Sequence, residues 1–282
     1  MAKISIIIPV YNGARYLNDT VRSLLLQTVS DFEIIIVNDG SNDNTEEVIS
    51  LLQKTDRRVT YITKPNTGVS NSRNEGLQKA SGEFVVFFDA DDIAEVFYLE
   101  DRVAFLEGNA DYGICGSEIT FINEEGVIVN TNKRAFAPGE NVLDEILTYN
   151  QNIAACPSNL MIRRKILTGN GVVFNQNLSS SADKYFLCQL SEYTQSHSLS
   201  RSSLRYRVHS SSMSGKLSVN LLYDKIKYVD LLKNNKQASK SVMLTFLTKS
   251  YYMLTAMAFK LRRYRMFIRF GTQYFMCKIK AI

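Results

Sequence analysis

The sequence predicts an α/β fold, a mostly parallel central sheet flanked by helices, and three observations carry that expectation. Over residues 3–89, four largely apolar, β-branched or aromatic runs alternate with amphipathic helical stretches. Strands buried on both faces read as continuous apolar runs, and right-handed crossover helices join them in parallel. The polar residues collect after the strands, in Tyr11-Asn12-Gly13, Asn38-Asp39-Gly40-Ser41 and Asp89-Ala90-Asp91-Asp92. That is the carboxyl edge, where open α/β sheets bind ligands. Finally, 282 residues, 45% hydrophobic and 22% charged, suit one large domain, or a domain with an appendage, around a substantial core.

Element by element, KISIIIPV (3–10) is a β-branched first strand. The stretch 16–27 places Leu17, Val21, Leu24 and Leu25 on one helical face. FEIIIVND (32–39) is a second strand, followed by a helix from about Thr45 to Gln53. RVTYIT (58–63) is a third strand, 69–80 a helix, and GEFVVFFD (82–89) a fourth strand. Beyond residue 93 the pattern loosens. A helix near 96–107 precedes the strand-like pieces YGICGS (112–117), EITFIN (118–123) and GVIVN (126–130). A helix near 141–148 leads to SNLMIRRKIL (158–167), a strand and then a short helix. Residues 183–192 read as helix, SLRYRV (203–208) as strand, and the chain from about 217 onward as largely helical. No repeat is present, and no linker rich in Gly, Pro or Ser divides the body.

Composition narrows the function classes. Cys115, Cys156, Cys188 and Cys277 are scattered and not at metal or redox spacing, which points to a reducing cytosol without a disulfide framework. Two histidines, His197 and His209, exclude a multi-histidine metal site. The opening MAKISIIIPVYNG reads as a first strand and not as a signal peptide. The net charge of +5 conceals an asymmetry: residues 231–282 hold 11 Lys or Arg and no acid, so the body is net negative.

Chemistry concentrates in FVVFFDADDI (84–93), where an apolar strand runs into Asp89, Asp91 and Asp92 with only Ala90 between. Acids this close repel unless a cation is shared among them. Mg²⁺ takes one or two carboxylates and completes its shell with water and phosphate oxygens. Helix capping is the simpler explanation and suits Asp92, but it does not account for all three. Asp39, in IIIVNDGSNDNT (34–45), lies at the ligand edge, where a carboxylate can accept from a base or ribose. In KPNTGVSNSRNEGLQKASGEF (64–84), Asn66 and Gly68 form a turn, and Arg73 on the next helix suits a phosphate or Asp partner.

SIIIPVYNGARYL (5–17), EIIIVNDGSNDNT (33–45), NTGVSNSRNEGL (66–77) and GEFVVFFDADD (82–92), in this order, resemble the family 2 glycosyltransferases. The resemblance is close over roughly the first 110 residues and weaker to about 214. It implies the GT-A nucleotide-sugar-binding fold with a C-terminal helical extension. Residues 1–215 would form the glycosyltransferase domain, 1–110 its nucleotide-sugar half and 111–215 its acceptor half, and 216–282 the basic extension. It implies that Asp39 contacts the uracil of a UDP-sugar, with Pro9, Tyr11 and Asn12 on the base and ribose. Asn66, Arg73 and Ala90 complete that half of the donor site. The DADD stretch matches the DxD motif: Asp91 the main ligand to Mn²⁺ or Mg²⁺, Asp89 and Asp92 on the ribose, sugar or metal-bound water, and Asp89 also a second ligand.

In this family an Asp in a Glu-Asp pair at a helix start is the base for inverting transfer. The matching position in SSSADKYFLCQL (179–190) is Asp183, preceded by Ala182 where the pair has Glu. Either the Glu is dispensable, or Asp183 is only a helix-terminal acid. RYRVHSSSMS (205–214) resembles the family's YR-x-H-x-x-S-x-S segment. It implies Arg207 or His209 near the donor diphosphate or the metal, with Ser212 and Ser214 lining the loop. A lone histidine in a structural role is the alternative. The absence of Trp excludes the Gln-x-x-Arg-Trp motif of processive synthases and favours single-sugar transfer.

The tail 241–282 mixes apolar and aromatic residues with Lys260, Arg262, Arg263, Arg265 and Arg269, and no span is long enough to cross a bilayer. Met243, Leu247, Leu254, Met257 and Leu261 share a helical face. Two readings fit: a helical hairpin packed on the body, or an interfacial segment on anionic inner-leaflet lipid. The donor motifs argue against nucleic acid as the partner.

The expectation is therefore an inverting, metal-dependent transferase. It would move one hexose in β linkage from a UDP-sugar to a polyprenyl-diphosphate-linked saccharide in O-antigen, capsule or exopolysaccharide synthesis. It would be cytoplasmic and peripheral on the inner membrane face through residues 231–282. A catalytically silent, membrane-bound sugar-nucleotide-binding subunit is the alternative. A nucleotidyltransferase should carry a Gly-rich phosphate loop, and PVYNGARYL has one Gly.

Overall fold

The structure, a computed structural model, describes residues 2–136, 142–150, 156–209 and 217–280. The expected loop residues Ser212 and Ser214 lie outside the described residues. The first half runs β1 (Ile4–Val10), α1 (Leu17–Leu25), β2 (Phe32–Asn38), α2 (Thr45–Thr55), β3 (Val59–Thr63), α3 (Val69–Lys79), β4 (Phe84–Phe87), β5 (Ile93–Ala94) and α4 (Tyr98–Gly108). The second runs β6 (Tyr112–Ile122), β7 (Ile128–Arg134), α5 (Val142–Leu147), β8 (Met161–Arg163), α6 (Arg164–Asn170), α7 (Ala182–Leu190), β9 (Gln195–Arg207), α8 (Val219–Leu232), α9 (Lys240–Lys260) and α10 (Tyr264–Lys280).

One sheet carries all nine strands in the order β3-β2-β1-β4-β8-β6-β9-β5, with β7 on β6. The expected parallel half is β3-β2-β1-β4. Beyond it the sheet is mixed: β8 runs antiparallel to β4 and β6, β9 parallel to β6, and β5 antiparallel to β9. The two pieces expected around residues 112–123 form one strand, β6, with pairing irregularities against β9 near Ser117 and Ile119. β9 starts well before SLRYRV because its polar first half, QSHSLS, pairs through the backbone and carries no apolar signal.

Side chains alternate across β1 with the strand period of two. Ile4, Ile6 and Ile8 pack with Leu17, Val21 and Leu24 of α1 and Ile49 of α2. Ile7 faces the opposite side, with Val85, Phe87 and Leu77 of α3. Each such fully buried Ile or Leu contributes roughly 1.5–3 kcal/mol relative to exposure. Both faces of the parallel half are thus covered, and its polar loops collect at the carboxyl ends of the strands.

The helices of 216–282 close the second face. Leu222, Tyr228 and Val229 of α8, Phe246, Leu254 and Met257 of α9 and Phe270 of α10 belong to the same hydrophobic cluster as Ile7, Val85 and Phe87. The α9 stripe expected from spacing faces this body: Met243, Leu254 and Met257 are buried, and Leu247 and Leu261 pack against the cluster. Among the described residues no helix is long and apolar enough to cross a membrane.

Candidate active site

The loops after β1, β2, β3 and β4 meet at the carboxyl edge. Asn12, in the left-handed region at φ 52°, ties two of them together. Its backbone N–H donates to Ser41 Oγ at 2.9 Å, and its Oδ1 accepts from Asn42 N at 2.8 Å. Pro9 is buried within β1 beyond the last residue paired to β4, so its missing N–H breaks no bond on that side. Tyr11 stands half-exposed at the rim.

Asp39 is buried and fully bonded. It accepts from the backbone N–H of Thr67 and of Gly68, both at 2.9 Å, and from Lys64 Nζ. Burial would raise its pKa, but Lys64 and the two backbone donors hold it below the usual carboxylate range. The loop 64–68 can close this tightly because Gly40 sits at φ 72°, where a Cβ would lie 2.9 Å from Asn66 N. Asn66 itself is exposed.

The like charges at Asp89, Asp91 and Asp92 are managed by three separate partners. Arg73, buried on α3, donates through Nη2 to Asp89 Oδ1 at 2.8 Å and through Nη1 to Asp183 Oδ1 at 2.6 Å. Burial alone would lower the Arg73 pKa; Asp183 and Asp89 together raise it, which keeps the guanidinium charged. The guanidinium rests 4.8 Å from the centre of the Phe174 ring. Asn74 fixes that residue from α3 by donating to Phe174 O and accepting from Phe174 N, each at 2.9 Å.

Asp91 meets His209: Oδ2 and Nε2 are 2.7 Å apart. Burial, then the charge of Asp89, pushes the Asp91 carboxyl up, and His209 opposes the shift. Asp92 lies beneath the loop, fully buried, accepting from Arg207 N at 3.0 Å, with Oδ2 unpartnered among the described residues. Burial and its acidic neighbours raise it well above the usual range. Arg207 is buried as well, and its guanidinium donates to the carbonyls of Asp91, Asn123 and Glu124. It braces the acidic loop from below, whereas His209 reaches its surface. Thr20 Oγ1 holds the loop's backbone, 3.0 Å from Ala90 O and 2.8 Å from Asp92 O.

No group of three or more His, Cys, Asp or Glu side chains converges on a metal position among the described residues. Asp89 commits one oxygen to Arg73, which leaves Asp91 and His209 as the adjacent pair of donors. One carboxylate and one imidazole suit a cation that takes its other ligands from water and phosphate. Asp91 and His209 are therefore the residues that could hold a divalent cation, the carboxylate being the donor that suits Mn²⁺ or Mg²⁺.

Asp183 opens α7, with its side chain about one-third exposed. Burial and Asp89 raise its pKa, and Arg73 restrains the rise. Ala182 beside it is fully buried in the apolar cluster. Ala182 supplies a methyl group to that cluster and no carboxylate beside Asp183. The local packing accounts for Ala182, and Asp183 keeps its place regardless.

Sequence reading brought out Arg73, Asp183, His209 and the acidic loop, and the structure gathers them. It did not bring out Lys64, Ser158, Phe174 or Asp224. Ser158 Oγ accepts from Asp89 N at 2.9 Å. Lys64 follows β3 at the same carboxyl edge, and that position was its available signal. The others owe their place to long-range packing.

The parallel half-sheet and the acidic loop at its carboxyl edge define the GT-A class of sugar-nucleotide-binding folds. Within that class the chain belongs to glycosyl transferase family 2, whose profile matches residues 5–169. A Haemophilus influenzae protein named as an uncharacterised glycosyltransferase is 30% identical over 220 residues, 75% of this chain and 67% of that protein. The glycosyltransferase GlyA of Streptococcus pneumoniae serotype 4 is 39% identical over 126 residues, 44% of this chain and 18% of GlyA. The chain spans about a quarter of the length of its Rickettsia relatives, 27% for that of Rickettsia felis. S. aureus TarS 1–349, solved in complex with UDP-GlcNAc, superposes at a TM-score of 0.77 with 21% identity, over 98% of this chain and 81% of that one.

Proposed function

We propose that this chain is an inverting glycosyltransferase that moves one hexose from a UDP-sugar to a hydroxyl of a lipid-linked saccharide, forming a β linkage. The observation that carries it is Arg73. One buried guanidinium binds Asp89 of the acidic loop and Asp183 of α7, so a donor-side group and a base share one edge. The solved complexes of S. aureus TarS with UDP-GlcNAc and UDP supply the donor class by analogy.

Tyr11 offers an exposed ring for the uracil, and base–aromatic stacking contributes about 1–3 kcal/mol. Asp39 and its loop line the base and ribose side. Asp91 and His209 would hold Mn²⁺ or Mg²⁺, which when bound neutralises charge on the departing UDP. Asp183 takes the proton of the acceptor hydroxyl. The freed oxygen attacks the anomeric carbon, the bond from that carbon to the diphosphate oxygen breaks, and UDP leaves with the electron pair. Burial and Asp89 make the Asp183 carboxylate a better proton acceptor, with Arg73 restraining the effect.

The acceptor reading rests on the outer face of α10. Tyr264, Ile268, Phe275 and Ile279 are exposed there, among cations and without any acid in residues 231–282. That face suits an anionic membrane surface, where a polyprenyl-diphosphate acceptor of O-antigen, capsule or exopolysaccharide type is held. Docking of this kind would make the protein peripheral on the inner membrane face.

The test is turnover of UDP-Glc, UDP-Gal, UDP-GlcNAc and UDP-GalNAc with Mn²⁺, for wild type and Asp183→Asn. Loss of a general base should lower turnover of the preferred donor about 10²–10⁴-fold, with UDP binding by calorimetry retained. Equal turnover would remove Asp183 as the base. UDP binding without turnover of any donor, even with acceptor-containing lipid extract, would favour a silent binding subunit.

A further inference from the structure

The base stands on a turn whose support comes from the far end of the chain. Asp224 of α8 is buried and accepts from Ser179 N at 2.6 Å, from Ser180 Oγ at 2.9 Å and from Ser181 Oγ at 2.7 Å. Ser181 is the N-cap of α7, yet its hydroxyl caps no backbone N–H of that helix. It turns to Asp224 instead and also accepts from Lys225 Nζ at 2.8 Å. One carboxylate thus holds three successive residues immediately before Ala182 and Asp183.

We propose that Asp224 is a positioning residue for the catalytic base, setting the turn from which Asp183 projects toward Arg73 and the acceptor. This rests on the reading of Asp183 as the base. Two constraints meet at that side chain: Arg73 fixes its carboxylate from the donor side, and Asp224 fixes its backbone from behind. Ala182 lies in the apolar cluster, so no carboxylate at the neighbouring position can share the work. Asp224 also stays charged. Burial would raise it, but bonds from Ser179, Ser181 and Ser180 hold it below the usual carboxylate range. Through this residue the C-terminal extension becomes part of the catalytic apparatus, because α8 delivers the group that orients α7.

The distinction from a merely structural role lies in how the kinetic constants divide. A misplaced base slows the chemical step and leaves donor binding alone, and displacement of a reacting group by about 1 Å can cost about 10²-fold. Full-length wild type, Asp224→Asn, Ser181→Ala and Asp183→Asn are compared with the UDP-sugar that wild type turns over and with UDP in calorimetry. Asp224→Asn should lower kcat roughly 10–100-fold, with KM for the donor and Kd for UDP within about twofold and a cooperative thermal transition kept. Ser181→Ala, which removes one bond and no charge, should lower kcat in the same direction by less. Asp224→Glu should recover part of the loss, because a carboxylate can still reach the hydroxyls.

Three results overturn the proposal. One is wild-type kcat in Asp224→Asn while Asp183→Asn is inactive. Another is a parallel fall of kcat, UDP affinity and melting temperature in both Asp224→Asn and Ser181→Ala, which marks general damage to the fold. The third is wild-type turnover in Asp183→Asn, which removes the base and with it the premise. That last result is read from a separate variant, so the two failures are distinguishable.

Discussion

Arg73 and His209 divide the acidic loop between them. The guanidinium pairs with both Asp89 and Asp183, and the imidazole meets Asp91. Asp91 is thereby the loop's acid with both a surface position and a partner that is itself a metal donor. A cation brought in with UDP should relieve the remaining like-charge repulsion between Asp89 and Asp91. Mn²⁺ with UDP is expected to raise the melting temperature by roughly 5–10 °C at a hundredfold excess over Kd. Asp91→Ala should abolish the shift while keeping its own cooperative transition, as read by scanning fluorimetry. An equal shift in variant and wild type would mean that Asp91 holds no cation. Much of this site was legible because loop chemistry follows strands: DADD directly after an apolar run announces itself. Asp224 was not legible. An acid in VNLLYDKIKYVDLL looks like any polar helix position, and only its packing against Ser179–Ser181 gives it a role.

Elements meet through equally specific contacts away from the site. Glu33 of β2 accepts at one oxygen from Ser5 Oγ of β1 at 2.6 Å and from both Ser81 N and Ser81 Oγ at 2.8 Å. It ties two parallel strands to the turn that opens β4. Burial would raise its pKa, yet the Ser5 and Ser81 bonds bring it below its ordinary value. A folded-state value below the unfolded one means stabilisation that is complete above the unfolded pKa, about 4.3. It is lost as pH falls through the folded value. The melting-temperature gap between wild type and Glu33→Gln should therefore be constant from about pH 8 to 5 and shrink below about pH 4. A gap that persists unchanged to about pH 3 would refute the assignment. The same contrast of local and long-range signals governs the fold. β1, β2 and β4 are predominantly apolar runs and were read from the sequence. The first half of β9, QSHSLS, is polar apart from Leu199, so it left no trace in the periodicity.

At the scale of the molecule, the charge split between body and tail acquires a geometry. α10 has two apolar faces. Met266, Phe270 and Cys277 turn toward α9 and the body, while Tyr264, Ile268, Phe275 and Ile279 are exposed. At 100° per residue those four positions fall within an arc of roughly 60°. Arg265 and Arg269 lie beyond one edge of that arc and Lys278 beyond the other, all exposed. Of the two readings open for the α9 stripe, packing on the body is the one its contacts match, and the exposed apolar arc of α10 is the surface to test for lipid. An aqueous surface gains nothing from four exposed large apolar side chains, and Ile268 and Ile279 offer no stacking face to a nucleic acid. An anionic bilayer uses both, at about 1 kcal/mol for each nearby cation plus the buried apolar area. Full-length protein should float with phosphatidylglycerol-containing vesicles and remain free of pure phosphatidylcholine vesicles, and moderate salt should weaken the binding. Ile268→Asp with Phe275→Asp, on a face away from the core, should reduce the bound fraction at least about tenfold and leave donor hydrolysis intact. If the double variant floats as wild type does, α10 is not the docking face. If wild type ignores anionic vesicles altogether, the acceptor must reach Asp183 from solution, and the lipid-linked reading fails while the donor chemistry stands.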